Sequence, residues 1–419
     1  MRQYASLPMP PVRLLGLVAL LALGAGCQAF QRNRDPVYDQ ARREVLAPPP
    51  SSVSPASYEE PEPYDGFQLS DLSPSKLNNT IKVATGRGPN SQLARELYTE
   101  ADTLFRQAAE QEGSARTASF NAAALKFKEA AARWPDSALE EDALFMVGEC
   151  HFFTDAYPSA STAYDRLLAK YPHSRHMDRV AARRFSIAQY WLELQRVRPV
   201  SYFGLNLTDS SRPAHDTCGN AVRLFDKLRL EDPTGKLADD ATLAAGNARF
   251  ASGDYNSAEM YYSDLRKTFP SSEHQFNAHM LGLKASLESY RGPAYDVTPL
   301  LTSEKLVITM RTQFPKEAEK EKEYLARAWG EIRMRKAERD YYLAYFYDNR
   351  GEYGAARLLY DELVANYDDT PYADRAKQRL TQIADRPAVP PQRLGWLVRA
   401  IEGEQVKPEE SEKTAETLR

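Results

Sequence analysis

Tyr157-Pro158-Ser159-Ala160-Ser161-Thr162-Ala163-Tyr164-Asp165-Arg166-Leu167-Leu168-Ala169-Lys170-Tyr171-Pro172 decides the fold, because its columns return twice more at an offset of 98 residues. Tyr157, Tyr255 and Tyr353 form one column, and Ala160, Ala258 and Ala356 a second. Tyr164, Tyr262 and Tyr360 follow, then Leu167, Leu265 and Leu363, then Tyr171, Phe269 and Tyr367, all without a gap. Within each copy the columns fall at steps of three and four, the period of one helical face. Pro172 and Pro270 then end the segment, since proline lacks the N–H that a continuing helix needs. In the third copy Asp368 stands at that place and Pro371 comes later, which fits either a terminal repeat or a shifted helix end.

Working outward, a second small residue precedes each of the first two copies. Gly148, Ala160, Tyr164 and Pro172 occur in the order of the tetratricopeptide repeat, and Gly246, Ala258, Tyr262 and Pro270 repeat it. Gly148 and Ala160 are read as the contact between the two helices of a hairpin, and Tyr164 as the filler toward the next hairpin. Asp155, Asp254 and Glu352 are placed in the tight turns, beside Gly253 and Gly351 in the later two. Further helix ends are marked by Trp134-Pro135-Asp136-Ser137, Phe314-Pro315 and the weaker Asp232-Pro233-Thr234. The expected fold is all-α, a tetratricopeptide-type superhelix of about five helical hairpins over residues 91–385. Such hairpins bury their apolar faces only when stacked. Lys316 to Asn349 reads as one helix, longer than a repeat helix needs.

The N-terminal 26 residues read as a signal peptide. Arg2 and Arg13 supply the positive region, and Leu14 to Leu23 an apolar run too short to span a bilayer. Leu23-Gly24-Ala25-Gly26-Cys27 resembles a bacterial lipobox with its leucine one place early, making Cys27 the lipidated first residue. Ordinary cleavage with Cys27 incidental is the alternative. Gln28, where an aspartate would hold a lipoprotein in the inner membrane, implies by the same resemblance an outer-membrane, periplasm-facing anchor in a Gram-negative-type bacterium. Residues 27–90, with Ala47-Pro48-Pro49-Pro50 and Glu59-Glu60-Pro61-Glu62-Pro63, have the composition of a disordered tether. Residues 386–419 form a C-terminal tail. Its apolar piece Leu394-Gly395-Trp396-Leu397-Val398 is either a cap over the last repeat or a linear motif for a partner.

Charge and chemistry exclude several function classes. The net charge is −4 with no basic block, and removing residues 1–26 takes two arginines and no acids, leaving −6, so nucleic-acid binding has no electrostatic support. The six histidines, His151, His173, His176, His215, His274 and His279, include no metal-binding spacing, and no nucleophile-base arrangement occurs; neither a cofactor, a metal nor an enzymatic activity is expected. Glu140-Glu141-Asp142 fits the acidic first turn of a helix. Cys150 and Cys218 are too few for a disulfide framework, and Cys150 reads as buried.

Protein binding is what remains. In a repeat superhelix the first helix of each hairpin lines the concave face. That face would carry Phe145, Glu149 and Phe152 in the second hairpin, Leu243, Asn247 and Phe250 in the fourth, and Tyr341 and Tyr345 in the last. These are the candidates for a peptide groove, with burial under the neighbouring repeat as the alternative. Arg333, Arg335, Lys336 and Arg339, interleaved with Glu331 and Glu338, are the candidates for docking a partner; a solvated helix face is the alternative.

The lipobox, the hairpins ending in aromatic-Pro-x-Ser, His215-Asp216-Thr217 before Ala221-Val222-Arg223-Leu224-Phe225, and the closing stretch Glu338 to Ala356 together resemble the BamD family of outer-membrane-assembly lipoproteins. The resemblance covers roughly residues 93–290 and 320–385. It implies a periplasm-facing subunit of the machinery that inserts β-barrel proteins, with partners among the central barrel protein and unfolded barrel substrates. By that resemblance Phe145 and Phe152 would form the substrate groove and the Arg333–Arg339 stretch the docking region. The proline-rich tether, extra residues near 275–320 and the long tail depart from the family pattern. A general envelope scaffold for cell-wall enzymes, or an accessory subunit positioning a hydrolase, would use the same fold and anchor.

Overall fold

A computed structural model describes residues 88–197, 205–206 and 208–390, and among these residues every regular element is a helix. Cys27, the rest of the tether and the Leu394–Val398 piece lie outside the described residues. The chain divides into two compact units, residues 1–248 and 249–419.

The first unit opens with α1 (Ser91–Glu110) and α2 (Gly113–Arg133). Asn90 starts α1 by accepting the Leu93 N–H on its side chain at 2.9 Å, while its own N–H donates to the Arg133 carbonyl at 2.7 Å. One side chain thus satisfies an orphan donor of α1 while its backbone fastens the end of α2. Between the two helices, alanines at Ala94, Ala101, Ala123 and Ala130 allow close approach, and Phe105, Phe120 and Phe127 fill the core. Phe153 from α3 (Ala138–Phe153) completes this aromatic cluster, stacking on Phe120 at 5.8 Å. Ser137 caps α3 by accepting the Glu140 N–H, and the Glu140 carboxylate reaches back to the Asp136 N–H at 2.6 Å, one residue before the N-cap. α4 (Tyr157–Lys170), α5 (Met177–Val197), α6 (Thr217–Glu231) and most of α7 (Ala238–Ala251) follow. α3 packs on α4, and α5 on α6.

The second unit contains α8 (Tyr255–Thr268), α9 (Gln275–Ser289), α10 (Thr298–Gln313), the short α11 (Pro315–Lys320), α12 (Lys322–Asn349), α13 (Tyr353–Asn366) and α14 (Pro371–Ile383). Leu283, Leu300, Val307, Met310, Leu325 and Ile332 form one core among α9, α10 and α12. Ala337, Ala344, Tyr360, Leu363, Ala376 and Ile383 form another among α12, α13 and α14. α12 is therefore long because its first half closes one core and its second half opens the next. The single helix expected from Lys316 to Asn349 is corrected: Glu321 separates α11 from α12, and Ala318 and Leu325 fold into the same core on either side of it.

The 98-residue columns coincide with structure. α4, α8 and α13 each begin at the repeated tyrosine, run 14 residues and end before Tyr171, Phe269 or Tyr367. The N–H of that aromatic residue closes the helix on Leu167, Leu265 or Leu363 in all three copies. Ala160, Ala258 and Ala356, and Tyr164, Tyr262 and Tyr360, are all buried. The third copy keeps the register despite Asp368, because the Thr370 N–H binds the Tyr367 carbonyl as Ser174 binds Tyr171 and Ser272 binds Phe269. Pro371 instead opens α14. Asp155, Asp254 and Glu352 lie in the inter-helix turns as expected, and the left-handed position of each turn is occupied by Asp155, Gly253 and Gly351, with φ of 58°, 78° and 75°. Asp254 and Glu352 are the next residues along, at the N-caps.

Candidate partner-binding surfaces

Tyr164 and Gly148 explain each other. A Cβ built on Gly148 would come within 2.3 Å of the Tyr164 ring, so the glycine exists to admit the tyrosine of its own hairpin. The Tyr164 hydroxyl donates to the Glu149 carboxylate at 2.6 Å. Burial first, and then the neighbouring Glu149 charge, pushes the hydroxyl pKa upward. Glu149 in turn receives Arg183 of α5 in a two-pronged pair, Nε at 3.0 Å and Nη2 at 2.9 Å. The acid thus links both helices of one hairpin to the first helix of the next, beside the fully buried Tyr164.

The same environment removes Phe145, Glu149 and Phe152 from an open groove. They are only 1%, 1% and 2% exposed. Phe145 stacks on His176 at 4.2 Å and lies under Arg179, while Phe152 lies under Arg183. His176 is held at 2.7 Å from Asp142. The physical reason is that α5 covers α3, and its arginines use the rings as platforms and Glu149 as counter-charge. Periodicity along α3 marks a buried face in either case, which is why the rings alone could not distinguish core from groove.

A second charge cluster, buried at Arg184 and open to solvent at its other members, joins α4, α5 and α6. Arg184, 1% exposed on its side chain, pairs with Asp165 at 2.6 Å and with Glu231, and Lys227 reaches Asp165 at 2.6 Å. Nothing in the local sequence singled these residues out. An arginine on the apolar face of a predicted helix was the available signal.

The four basic candidates on α12 are half-buried, and each meets an acidic or carbonyl group. Arg333 pairs with Asp369 at 2.6 Å and lies over Tyr367; Arg335 donates to the Leu287 carbonyl at 2.8 Å and pairs with Glu331. Lys336 reaches Glu304 of α10 at 3.0 Å, and Arg339 lies 3.6 Å from Asp340. Leu287 closes the last turn of α9, where cations are favoured by the helix dipole. Of the four docking candidates, Arg333, Arg335 and Lys336 thus fasten α12 to the turn before α14, to α9 and to α10, while the Arg339 contact stays on α12 itself.

Two matches with known protein families correspond to these elements. A tetratricopeptide-repeat model covers residues 142–174, the α3–α4 hairpin with its Gly148–Tyr164 contact. A model of the YfiO family, described as an outer membrane lipoprotein, covers residues 210–388, from before α6 to beyond α14. Together the two matches support a BamD-like tetratricopeptide-repeat protein. No curated protein matches the chain.

In this BamD-like chain the remaining groove candidates differ in access. Asn247 on α7 is exposed, and Leu243 and Phe250 are half-buried. Tyr341 is half-buried against Tyr360 at 5.5 Å and Tyr372 at 5.7 Å, while Tyr345 stacks on its outer side at 6.4 Å and is exposed. The residues just after α14 fold back onto α13. Arg357 Nη1 donates to the carbonyls of Ile383, Ala384 and Arg386 at 2.9, 3.1 and 2.9 Å, and the Gly354 N–H donates to Ala388 at 2.9 Å. The last repeat is therefore bound by chain extending past the expected start of the tail at residue 386.

Proposed function

We propose that this chain is a lipid-anchored, periplasm-facing scaffold that helps assemble β-barrel proteins into the outer membrane. The observation that carries the reading is the YfiO-family match across residues 210–388, which spans every helix from α6 to α14. The Arg2, Arg13, Leu14–Leu23 and Cys27 pattern supplies the anchor in this reading, and Gln28 the outer membrane. The repeats act by presenting surface to other polypeptides rather than by chemistry. Accessible side chains on first helices, such as Asn247, are the partner-facing candidates.

The test is affinity purification of the tagged full-length chain from detergent-solubilised envelopes, with mass spectrometry of what accompanies it. Recovery of a large barrel protein with soluble periplasmic repeats supports the reading. Recovery of cell-wall enzymes without any such barrel overturns it in favour of a general envelope scaffold. In parallel, Cys27→Ser should move the protein from the outer-membrane fraction to the soluble periplasmic fraction; unchanged fractionation would remove the lipid anchor from the account.

A further inference from the structure

The second half of α12 carries an apolar stripe without a covering element among the described residues. Tyr342, Tyr345 and Phe346 are 49%, 48% and 48% exposed, at the i, i+3, i+4 spacing that places side chains on one helical face. Three large rings side by side in water form the type of contiguous patch that usually marks a contact surface.

The chain itself leads to this patch. Ala388 is hydrogen-bonded to Gly354, and the Pro390 Cβ lies 3.6 Å from where a Cβ on Gly351 would stand. Gly351 is two residues beyond the end of α12, so Phe346 lies five residues back along the same helix, about 8 Å at 1.5 Å per residue. Four residues past Pro390 comes Leu394-Gly395-Trp396-Leu397-Val398, an apolar run bounded by Arg393 and Arg399. An extended chain of four residues reaches about 13 Å, enough to bring Trp396 and Leu397 alongside the stripe.

We propose that the Leu394–Val398 segment, outside the described residues, docks on the Tyr342–Tyr345–Phe346 face of α12 within the same chain. A leash this short holds the segment at an effective concentration in the millimolar range. A second copy of the chain would have to reach that concentration in bulk to compete, which favours the intramolecular occupant. The docked segment then covers the last repeat, and a partner using this face has to displace it.

The test is photo-cross-linking in the full-length chain in membranes, with a benzophenone amino acid in place of Leu397 and, as a positive control, in place of Val389. The control should label the Gly351–Gly354 region. The expected result at position 397 is a cross-link within one chain, mapped to the peptide containing Tyr342 to Phe346. That cross-link should fall at least several-fold in Tyr345→Glu/Phe346→Glu with helix content unchanged. A position-397 cross-link to a second copy, to another protein or to another part of the chain overturns the proposal, as does none at all when the Val389 control works.

Discussion

The Tyr164 hydroxyl donates to Glu149 at 2.6 Å inside the first unit, and the same carboxylate is the counter-ion of Arg183 one helix further on. The device recurs in the last repeat, where Tyr360 contacts Asp348 at 3.4 Å and Arg379 of α14 pairs with Asp348 at 2.6 and 2.9 Å. Arg183 and Arg379 share a column of the 98-residue repeat, and Leu281 stands in it in the middle copy. Breaking a buried pair leaves an uncompensated charge. Glu149→Ala should therefore cost about 3–5 kcal/mol, and Glu149→Leu combined with Arg183→Met much less than the sum of the two single changes. Urea unfolding of the full chain, followed through its first-unit transition, measures both; additive losses would refute the linkage.

Two glycines on helices should respond in opposite directions. Gly148→Ala forces a Cβ to 2.3 Å from the Tyr164 ring and should destabilise the first unit by about 1–3 kcal/mol. Gly330 in α12 has nothing within 4 Å of a built Cβ, so Gly330→Ala should stabilise the second unit by about 0.5–1 kcal/mol through helix propensity. Thermal unfolding of the two variants separates packing from propensity, and a loss at Gly330 would show that it serves a contact.

The columns were legible because stacking repeats impose the same small-large alternation each time, and the repeated tyrosines prove to be the first residues of α4, α8 and α13. What acids and arginines touch was not legible. Glu149 is one turn earlier on its helix than the matching Asp348 is on its own, so no column pairs them. The partners of the α12 cations, Leu287, Glu304 and Asp369, come from three other segments, and a run of charge looks the same whether it faces solvent or those groups. The break at Glu321 carries no proline or glycine, so only packing on both sides records it.

Asp155 occupies the left-handed position that glycine fills in the other two copies. Its carboxylate accepts the Tyr157 hydroxyl at 3.0 Å, which offsets part of the backbone cost. Asp155→Val has neither a glycine's freedom nor that hydrogen bond and should destabilise by about 1–2 kcal/mol. Asp155→Gly should stay within about 1 kcal/mol of the parent, because relief at φ and loss of the bond oppose each other. Chemical denaturation of both variants checks the order; equal losses would mean that the side chain alone matters.

Charge reversal on α12 should read out as stability before it reads out as binding. Lys336 and Glu304 are both mostly screened from solvent, so Lys336→Glu removes a charge-assisted bond and sets two acids together. A loss of about 1.5–3 kcal/mol in the second unit is expected. Limited proteolysis around α10 and α12, together with a melt, reports it. Lys336→Glu/Glu304→Lys should recover part of the loss, and no recovery would mean that the pair is not what fastens the helices.

The second unit should weaken in mild acid through His279. Its ring is buried in α9, Nδ1 donates to the Gln275 carbonyl at 2.8 Å, and Phe314 lies 5.2 Å away. Burial, opposed by the Gln275 bond and assisted by the Arg266 charge, holds the imidazole pKa below its ordinary value. The unfolded chain then binds a proton at higher pH than the folded one. The stability this contributes is present above the unfolded pKa near 6.5 and is lost as pH falls through the lower folded value. His279→Phe removes the titrating group while keeping an aromatic ring beside Phe314. The parent's second-unit stability should therefore fall more steeply below about pH 6.5 than that of His279→Phe, as read by urea midpoints across pH. His151, whose pKa burial also lowers, gives the first unit the same sign and is present in both proteins, so it does not enter the difference. Parallel pH profiles for the two proteins would show that His279 is protonated as easily in the fold as in the unfolded chain.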